Sequence, residues 1–204
     1  MSLWAVVPVK SLGEGKSRLA QVLSKEDRRL LNNQLFQHTL NVLSHVAAID
    51  EICVISTDPD VLDHAKSLGL KTMVENGSGL NEALTQVTLA AIVERVQQLF
   101  ILPVDLPFLK QSDAEIFLHM LEGKPGVVIA PDRKKTGTNA LMVSPPGALD
   151  YQFGVDSFNL HYHQALARKL PVRVCCLSSL EFDIDLPEDF LEVKDLLAVP
   201  MGLE

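Results

Sequence analysis

Three cysteines in 204 residues are too few and too poorly spaced for a disulfide framework. Cys53 stands alone, and Cys175 and Cys176 are neighbours inside an apolar run, so no zinc knuckle is present either. A reducing, cytoplasmic compartment is the expectation. Positive charge is also scarce: 18 Lys and Arg face 26 Asp and Glu, for a formal net charge of −8. That balance argues against nucleic acid or an anionic membrane as the main partner, because both reward an excess of Lys and Arg. No run approaches the roughly 18 uncharged apolar residues that a membrane helix needs. The opening MSLWAVVPVK lacks the basic flank and long apolar core of a signal peptide. Internal repeats and low-complexity linkers are absent as well.

What remains is an ordinary globular composition, 47% hydrophobic and 22% charged, sized for one domain over residues 1–204. Leu3 to Val9 is a continuous apolar run, the pattern of a strand buried on both faces. Ser24, with Asp27 three residues on, predicts a capped helix whose buried stripe includes Leu31, Leu35, Leu40 and Val46. Strands are expected at Glu51–Thr57, Leu70–Val74, Gln98–Val104, Gly126–Ala130, Ala140–Val143 and Val172–Leu177. Helices are expected between them: one ending at Gly69, one from the Asn76–Gly79 turn to about Val96, one capped by Ser112, one over Ser157–Lys169, and one opened by Pro187. This alternation predicts an α/β fold, a doubly wound, mostly parallel sheet with helices on both faces. Such sheets bind ligands where the strand order reverses, at the carboxyl ends of the strands.

Five loops carry chemistry. The first runs from Pro8 to Arg18 and holds two glycines and three cations, Lys10, Lys16 and Arg18, before a helix start. Glycines let backbone approach an anion, and helix N-termini favour it, so this loop suits a triphosphate. It is not a P-loop, since Lys10 stands where that pattern needs a glycine five residues before Gly15. The second, Leu102-Pro103-Val104-Asp105-Leu106-Pro107, sets a carboxylate at a strand's end, a ligand for a hard divalent cation. The third, Asp183-Ile184-Asp185-Leu186-Pro187-Glu188-Asp189, is read as following another strand. The two alternate aspartates, Asp183 and Asp185, are read as pointing opposite ways in extended chain, so only one is expected to face a shared metal site. The other acids of this loop suit a helix cap. The fourth and fifth, Thr136-Gly137-Thr138-Asn139 and Phe153-Gly154-Val155-Asp156-Ser157, offer hydroxyl, amide and backbone donors for a second anion. The six histidines show no ligand spacing and are read as surface or core-edge residues.

Taken in order, Pro8-x-Lys10, Lys16-Ser17-Arg18-Leu19, Gly79-Leu80-Asn81, Leu102-Pro103-x-Asp105-Leu106-Pro107, Thr136-Gly137-Thr138-Asn139, Phe153-Gly154-x-x-Ser157 and Asp183-x-Asp185-x-Pro187-x-Asp189 span nearly the whole chain. Together they resemble the 2-phospho-L-lactate guanylyltransferase family, whose bacterial members are described as phosphoenolpyruvate guanylyltransferases of coenzyme F-420 biosynthesis. The first loop and the Asp-Leu-Pro element also resemble the wider nucleotidyltransferases of molybdenum-cofactor and sugar-nucleotide synthesis. The resemblance implies a Rossmann-like fold of the nucleotide-diphospho-sugar transferase type, and transfer of GMP from GTP to a small phosphorylated three-carbon acid. It further implies Pro8, Lys10, Lys16, Arg18, Gly79, Asn81 and Asp105 at the nucleotide, and Mg²⁺ on Asp105 and Asp185. Lys16, Arg18, Asp105 and Asp185 would carry catalysis, and Thr138, Asn139, Gly154 and Ser157 would hold the acceptor. Arg133-Lys134-Lys135 and Val155-Asp156 depart from the family's smaller residues beside the implied acceptor pocket and bear on which acid fits. Two rivals are a molybdopterin-type guanylyl- or cytidylyltransferase, opposed by Thr136–Asn139, and a non-catalytic nucleotide-binding regulator, opposed by the paired carboxylates. The sequence leaves the oligomeric state open, a homodimer included.

Overall fold

The computed structural model describes residues 2–13, 15–77, 79–195 and 197. Glu14 and Ser78, members of two of the turns named above, lie outside the described residues. The chain forms β1 (Leu3–Val9), α1 (Lys25–Ser44), β2 (Glu51–Ser56), α2 (Pro59–Ser67), β3 (Lys71–Val74), α3 (Leu80–Val93) and β4 (Gln98–Ile101). It continues through α4 (Gln111–His119), β5 (Gly126–Pro131), β6 (Thr138–Ser144), α5 (Ser157–Ala167), β7 (Val172–Val174), α6 (Ser178–Glu181) and α7 (Pro187–Val193). The strands make one sheet in the order β3-β2-β1-β4-β6-β5-β7. Only β6 runs antiparallel to its neighbours, so the sheet is mixed and mostly parallel.

β1 lies inside the sheet, between β2 and β4, because all its side chains are apolar and can be buried on both faces. Leu3, Ala5, Val7 and Val9 pack with Phe36 and Leu40 of α1, Val61 of α2 and Phe117 of α4. Trp4 and Val6 pack on the other face with Leu84 and Val87 of α3 and Ala165 of α5. The period of two along the strand thus divides the core into two layers around the sheet. β2 and β4 flank β1 on opposite sides, so the chain reverses its winding there, and a crevice opens beyond the carboxyl ends of β1 and β4.

Several local signals resolve as their chemistry dictates. Ser24 Oγ accepts the Asp27 N–H at 3.1 Å and caps α1, and Leu31, Leu35 and Leu40 are buried. Gly69, just beyond α2, holds φ +75°, a left-handed conformation that disfavours side chains. Other expectations need correction. The first loop runs not into α1 but into a five-residue 3-10 turn, Ser17–Gln21. α4 is capped at Lys110, not Ser112. The strand expected over Val172–Leu177 ends at Val174, and a four-residue helix, α6, precedes Asp183.

Candidate active site

The glycine loop is held in place from below. Asn32 of α1 donates to Leu12 O at 2.7 Å, and Asp58 accepts the Leu12 N–H at 3.2 Å. A Cβ built on Gly15 would lie 2.8 Å from Asn32 Nδ2, so a side chain here would displace the Asn32 amide that holds Leu12. Lys16 follows with φ 58°, an uncommon left-handed lysine. That turn sends its ammonium inward, to 3.3 Å from Asp105 Oδ2 and 3.7 Å from Asp185 Oδ1. The same ammonium donates to Ile184 O. Arg18 approaches Asp185 Oδ2 at 3.3 Å from the solvent side.

Three carboxylates converge here. Asp105, Asp183 and Asp185 each place an oxygen within 4.8 Å of the others. Asp105 stands at the end of the β4 arm, and its carbonyl accepts the Ile184 N–H at 3.1 Å, which ties the two loops together. Both Asp183 and Asp185 face the cluster, which corrects the expectation that only one would. In extended chain, residues two apart share a face; here Phe182 and Ile184 take the other face and pack with Leu19, Leu31 and Phe190. Asp183 is thus the member of the cluster that the sequence reading left out, although its i, i+2 spacing to Asp185 was the available signal. Burial pushes its carboxyl up to about 6, and repulsion from Asp105 and Asp185 adds to the effect, against hydrogen bonding from Asn139 and the charge of Lys16. Asp189, one of the acids expected to do so, provides the helix cap: its Oδ2 accepts the N–H groups of Asp185 and Leu186 at 3.0 and 2.8 Å.

Two cavities meet at this cluster. One, of about 300 Å³, has walls from Pro8, Leu12, Leu80, Ala83 and Pro103, with Lys10, Lys16 and Asp105 at its polar end. The other, of about 340 Å³, is polar and includes Arg18, Arg133, Lys134, Thr136 and Asp183. Asp185 lines both.

Of the expected nucleotide residues, Pro8, Lys10, Lys16 and Asp105 line the first cavity. Gly79 sits one residue before Leu80, as the N-cap of α3. Asn81 is not brought to that cavity. Its side-chain amide is taken up by Phe153, donating to the carbonyl at 3.1 Å and accepting the N–H at 2.8 Å. The four expected acceptor residues lie around the junction of β6 with α5, with much of their polar capacity used internally. Thr138 Oγ1 pairs with His161 Nδ1 at 3.1 Å. Asn139 Nδ2 donates to Leu180 O at 3.0 Å and Asp183 Oδ1 at 3.3 Å. Ser157 is buried, and the first N–H groups of α5 are already bonded: Ser157 to Gly154 O, Phe158 to Thr136 O. Gly154 is open, at φ +127° with nothing within 4 Å of a built Cβ.

His161 also departs from its expected surface or core-edge place. It is fully buried. Its Nε2 accepts the Gln152 N–H at 2.9 Å, so the neutral ring carries its proton on Nδ1 and donates to Thr138. Burial lowers its pKa to about 4.

One solved structure with this fold is that of 4-diphosphocytidyl-2C-methyl-D-erythritol synthase from Anaerococcus prevotii, which superposes with a TM-score of 0.65 at 14% identity over 96% of each chain. With the same α/β sheet and a crevice at its carboxyl edge, the chain shares the fold of that enzyme. A family model described as "Guanylyl transferase CofC like" matches residues 3–195, and the chain belongs to that family. It is 40% identical to phosphoenolpyruvate guanylyltransferase of Rubrobacter xylanophilus, over 95% of this chain and 94% of that one. Its identity to 2-phospho-L-lactate guanylyltransferase of Methanothermobacter thermautotrophicus is 34%, over 95% and 84%.

Proposed function

We propose that the protein transfers GMP from GTP to the phosphate of a small phosphorylated three-carbon acid, releasing pyrophosphate, in coenzyme F-420 biosynthesis. The acid belongs to the class named for the two relatives, phosphoenolpyruvate and 2-phospho-L-lactate. The observation that carries this reading is the placement of the three-carboxylate cluster between two cavities, one apolar-walled and one polar. The first suits a guanosine, and the cluster stands where the phosphates of donor and acceptor would meet.

Three carboxylates within 4.8 Å fit a hard divalent cation, because every donor is a carboxylate oxygen; burial, with their mutual repulsion added, already raises Asp183. Asp105, Asp183 and Asp185 would hold Mg²⁺, which when bound supplies charge neutralisation at the reacting phosphates. Lys10, Lys16 and Arg18 hold the triphosphate in line, and Thr138, Gly154 and Ser157 bind the acceptor acid. An oxygen of the acceptor phosphate bonds to the α-phosphorus as the bridging P–O bond breaks and pyrophosphate leaves. That phosphate, with a second pKa of about 6, is already ionised at neutral pH. No general base is needed, in keeping with a His161 that is buried and neutral. The enzyme's work is alignment and electrostatics.

The test is pyrophosphate release with GTP, Mg²⁺ and each acid. Asp105→Asn, Asp183→Asn and Asp185→Asn are each expected to lower kcat by about 100-fold or more with the fold retained, in line with the loss of one electrostatic contact in a transition state. Normal turnover in all three would remove the cluster from the chemistry.

A further inference from the structure

Arg133, in the polar loop between β5 and β6, has a place in the structure that the proposed reaction does not use. Its loop is closed on itself: Asp132 accepts the Thr136 N–H at 2.7 Å and the Thr136 hydroxyl at 3.1 Å, and the Asp132 N–H donates to Gly137 O at 3.1 Å. From this rigid base the guanidinium reaches across to the carboxylate arm. It stacks over the Phe182 ring at 4.3 Å, donates to Asp189 Oδ1, and donates to Glu192 Oε1 at 3.2 Å. Asp189 is 5% exposed and fully engaged, since its second oxygen takes the N–H groups of Asp185 and Leu186. Asp185, in turn, has its side chain about half exposed, and among the described residues the cations of Lys16 and Arg18 stand against its carboxylate.

We infer that Arg133 and Asp189 are positioning residues that fix the backbone of Asp185 and so aim its carboxylate at Asp105 and Asp183. The inference rests on the proposed divalent-cation site. A free carboxylate at this exposed position would sample several rotamers; one whose backbone N–H is locked by a buried, arginine-paired acid samples fewer. Asn139, donating to Asp183, braces the neighbouring ligand from the β6 side. Groups that orient ligating carboxylates are worth about 10- to 100-fold in metal affinity.

The experiment is Mn²⁺ binding to the full chain without nucleotide, followed by electron paramagnetic resonance, with thermal unfolding recorded alongside. Arg133→Met is expected to weaken Mn²⁺ binding about ten-fold or more. Asp189→Asn keeps an oxygen for the two N–H groups but loses the charge pair, and is expected to fall between Arg133→Met and wild type. Arg168→Met removes an ion pair with Asp150 beyond the far end of α5 and is expected to leave Mn²⁺ affinity unchanged. If Arg133→Met and Asp189→Asn lower thermal stability but bind Mn²⁺ as wild type does, both residues are plain braces and the inference is overturned. If Asp105→Asn also leaves Mn²⁺ binding untouched, the cation site itself has failed, a result distinct from failure of the relay.

Discussion

Lys16 brings its ammonium to 3.3 Å from Asp105 although 89 positions separate the two residues. The pair joins the glycine loop after β1 to the arm after β4, the two strands that flank the crevice. The Lys16 side chain is only 9% exposed, so solvent screens this charge weakly. Lys16→Ala is expected to weaken GTP binding about ten-fold or more, the loss of one charged hydrogen bond. Arg18, with a side chain 69% exposed, is expected to matter less, and Arg18→Ala costs several-fold. Titration calorimetry with GTP measures both; unchanged affinity in the two variants would place the triphosphate elsewhere.

The raised carboxyl of Asp183 makes stability depend on pH. Its folded value of about 6 lies above the ordinary 3.8. The folded state therefore holds this proton more tightly, and the associated stability is present below 3.8 and lost as pH rises through about 6. Above that window the cluster is under charge repulsion that a bound Mg²⁺ would relieve. Thermal unfolding is expected to show a larger Mg²⁺-induced rise in Tm at pH 7.5 than at pH 5. Asp183→Asn should remove most of that difference; an equal rise at both pH values would show that Asp183 takes no part.

His161 works in the opposite direction. Its pKa falls from 6.5 to about 4 in the fold, so its stability is present above 6.5 and lost as pH drops toward 4. A shift of that size corresponds to about 3 kcal/mol at most. Urea unfolding of wild type from pH 7 to 4.5 is expected to show this loss. His161→Gln should flatten the slope while starting from lower stability at pH 7, because a tightly filled site is disturbed. A wild-type slope retained in the variant would assign the effect to other groups.

The acceptor residues separate in kinetics. Ser157 is buried at the start of α5, and Asp156, not Ser157, is the N-cap, so simple capping does not account for the serine. Ser157→Ala is expected to raise the Michaelis constant for the acid several-fold and leave GTP affinity near wild type. Gly154→Ala meets no atom but must hold φ +127°, and about 1 kcal/mol or more of stability should be lost. If Ser157→Ala loses thermal stability and keeps normal acid affinity, the serine serves packing alone.

Much of this architecture was legible in the residues. The apolar run Leu3–Val9 could only be a doubly buried strand, and its ends match the observed β1. Asp105 was recognisable as a carboxylate beyond a strand, and Lys16 as a cation beside glycine. Other features depended on tertiary partners with no local signature. The partner of the Asn81 amide, Phe153, lies 72 positions away. His161 had no ligand-spaced neighbour in sequence, yet folding gives it Thr138 and Gln152. The short α6 was hidden because Cys175, Cys176 and Leu177 extend the apolar pattern of β7 past its last paired residue. Asp183 is a different case: its face was set by a period of two that the spacing already contained.

The central claim is tested most directly by mass spectrometry of the products after incubation with GTP, Mg²⁺ and, separately, phosphoenolpyruvate, 2-phospho-L-lactate and 3-phosphoglycerate. The account predicts a guanosine diphosphate ester of at least one of these acids, formed with one pyrophosphate per turnover and abolished by Asp105→Asn. Contradiction would come from intact GTP with all three acids, or from a product in which the nucleotide is joined to none of them.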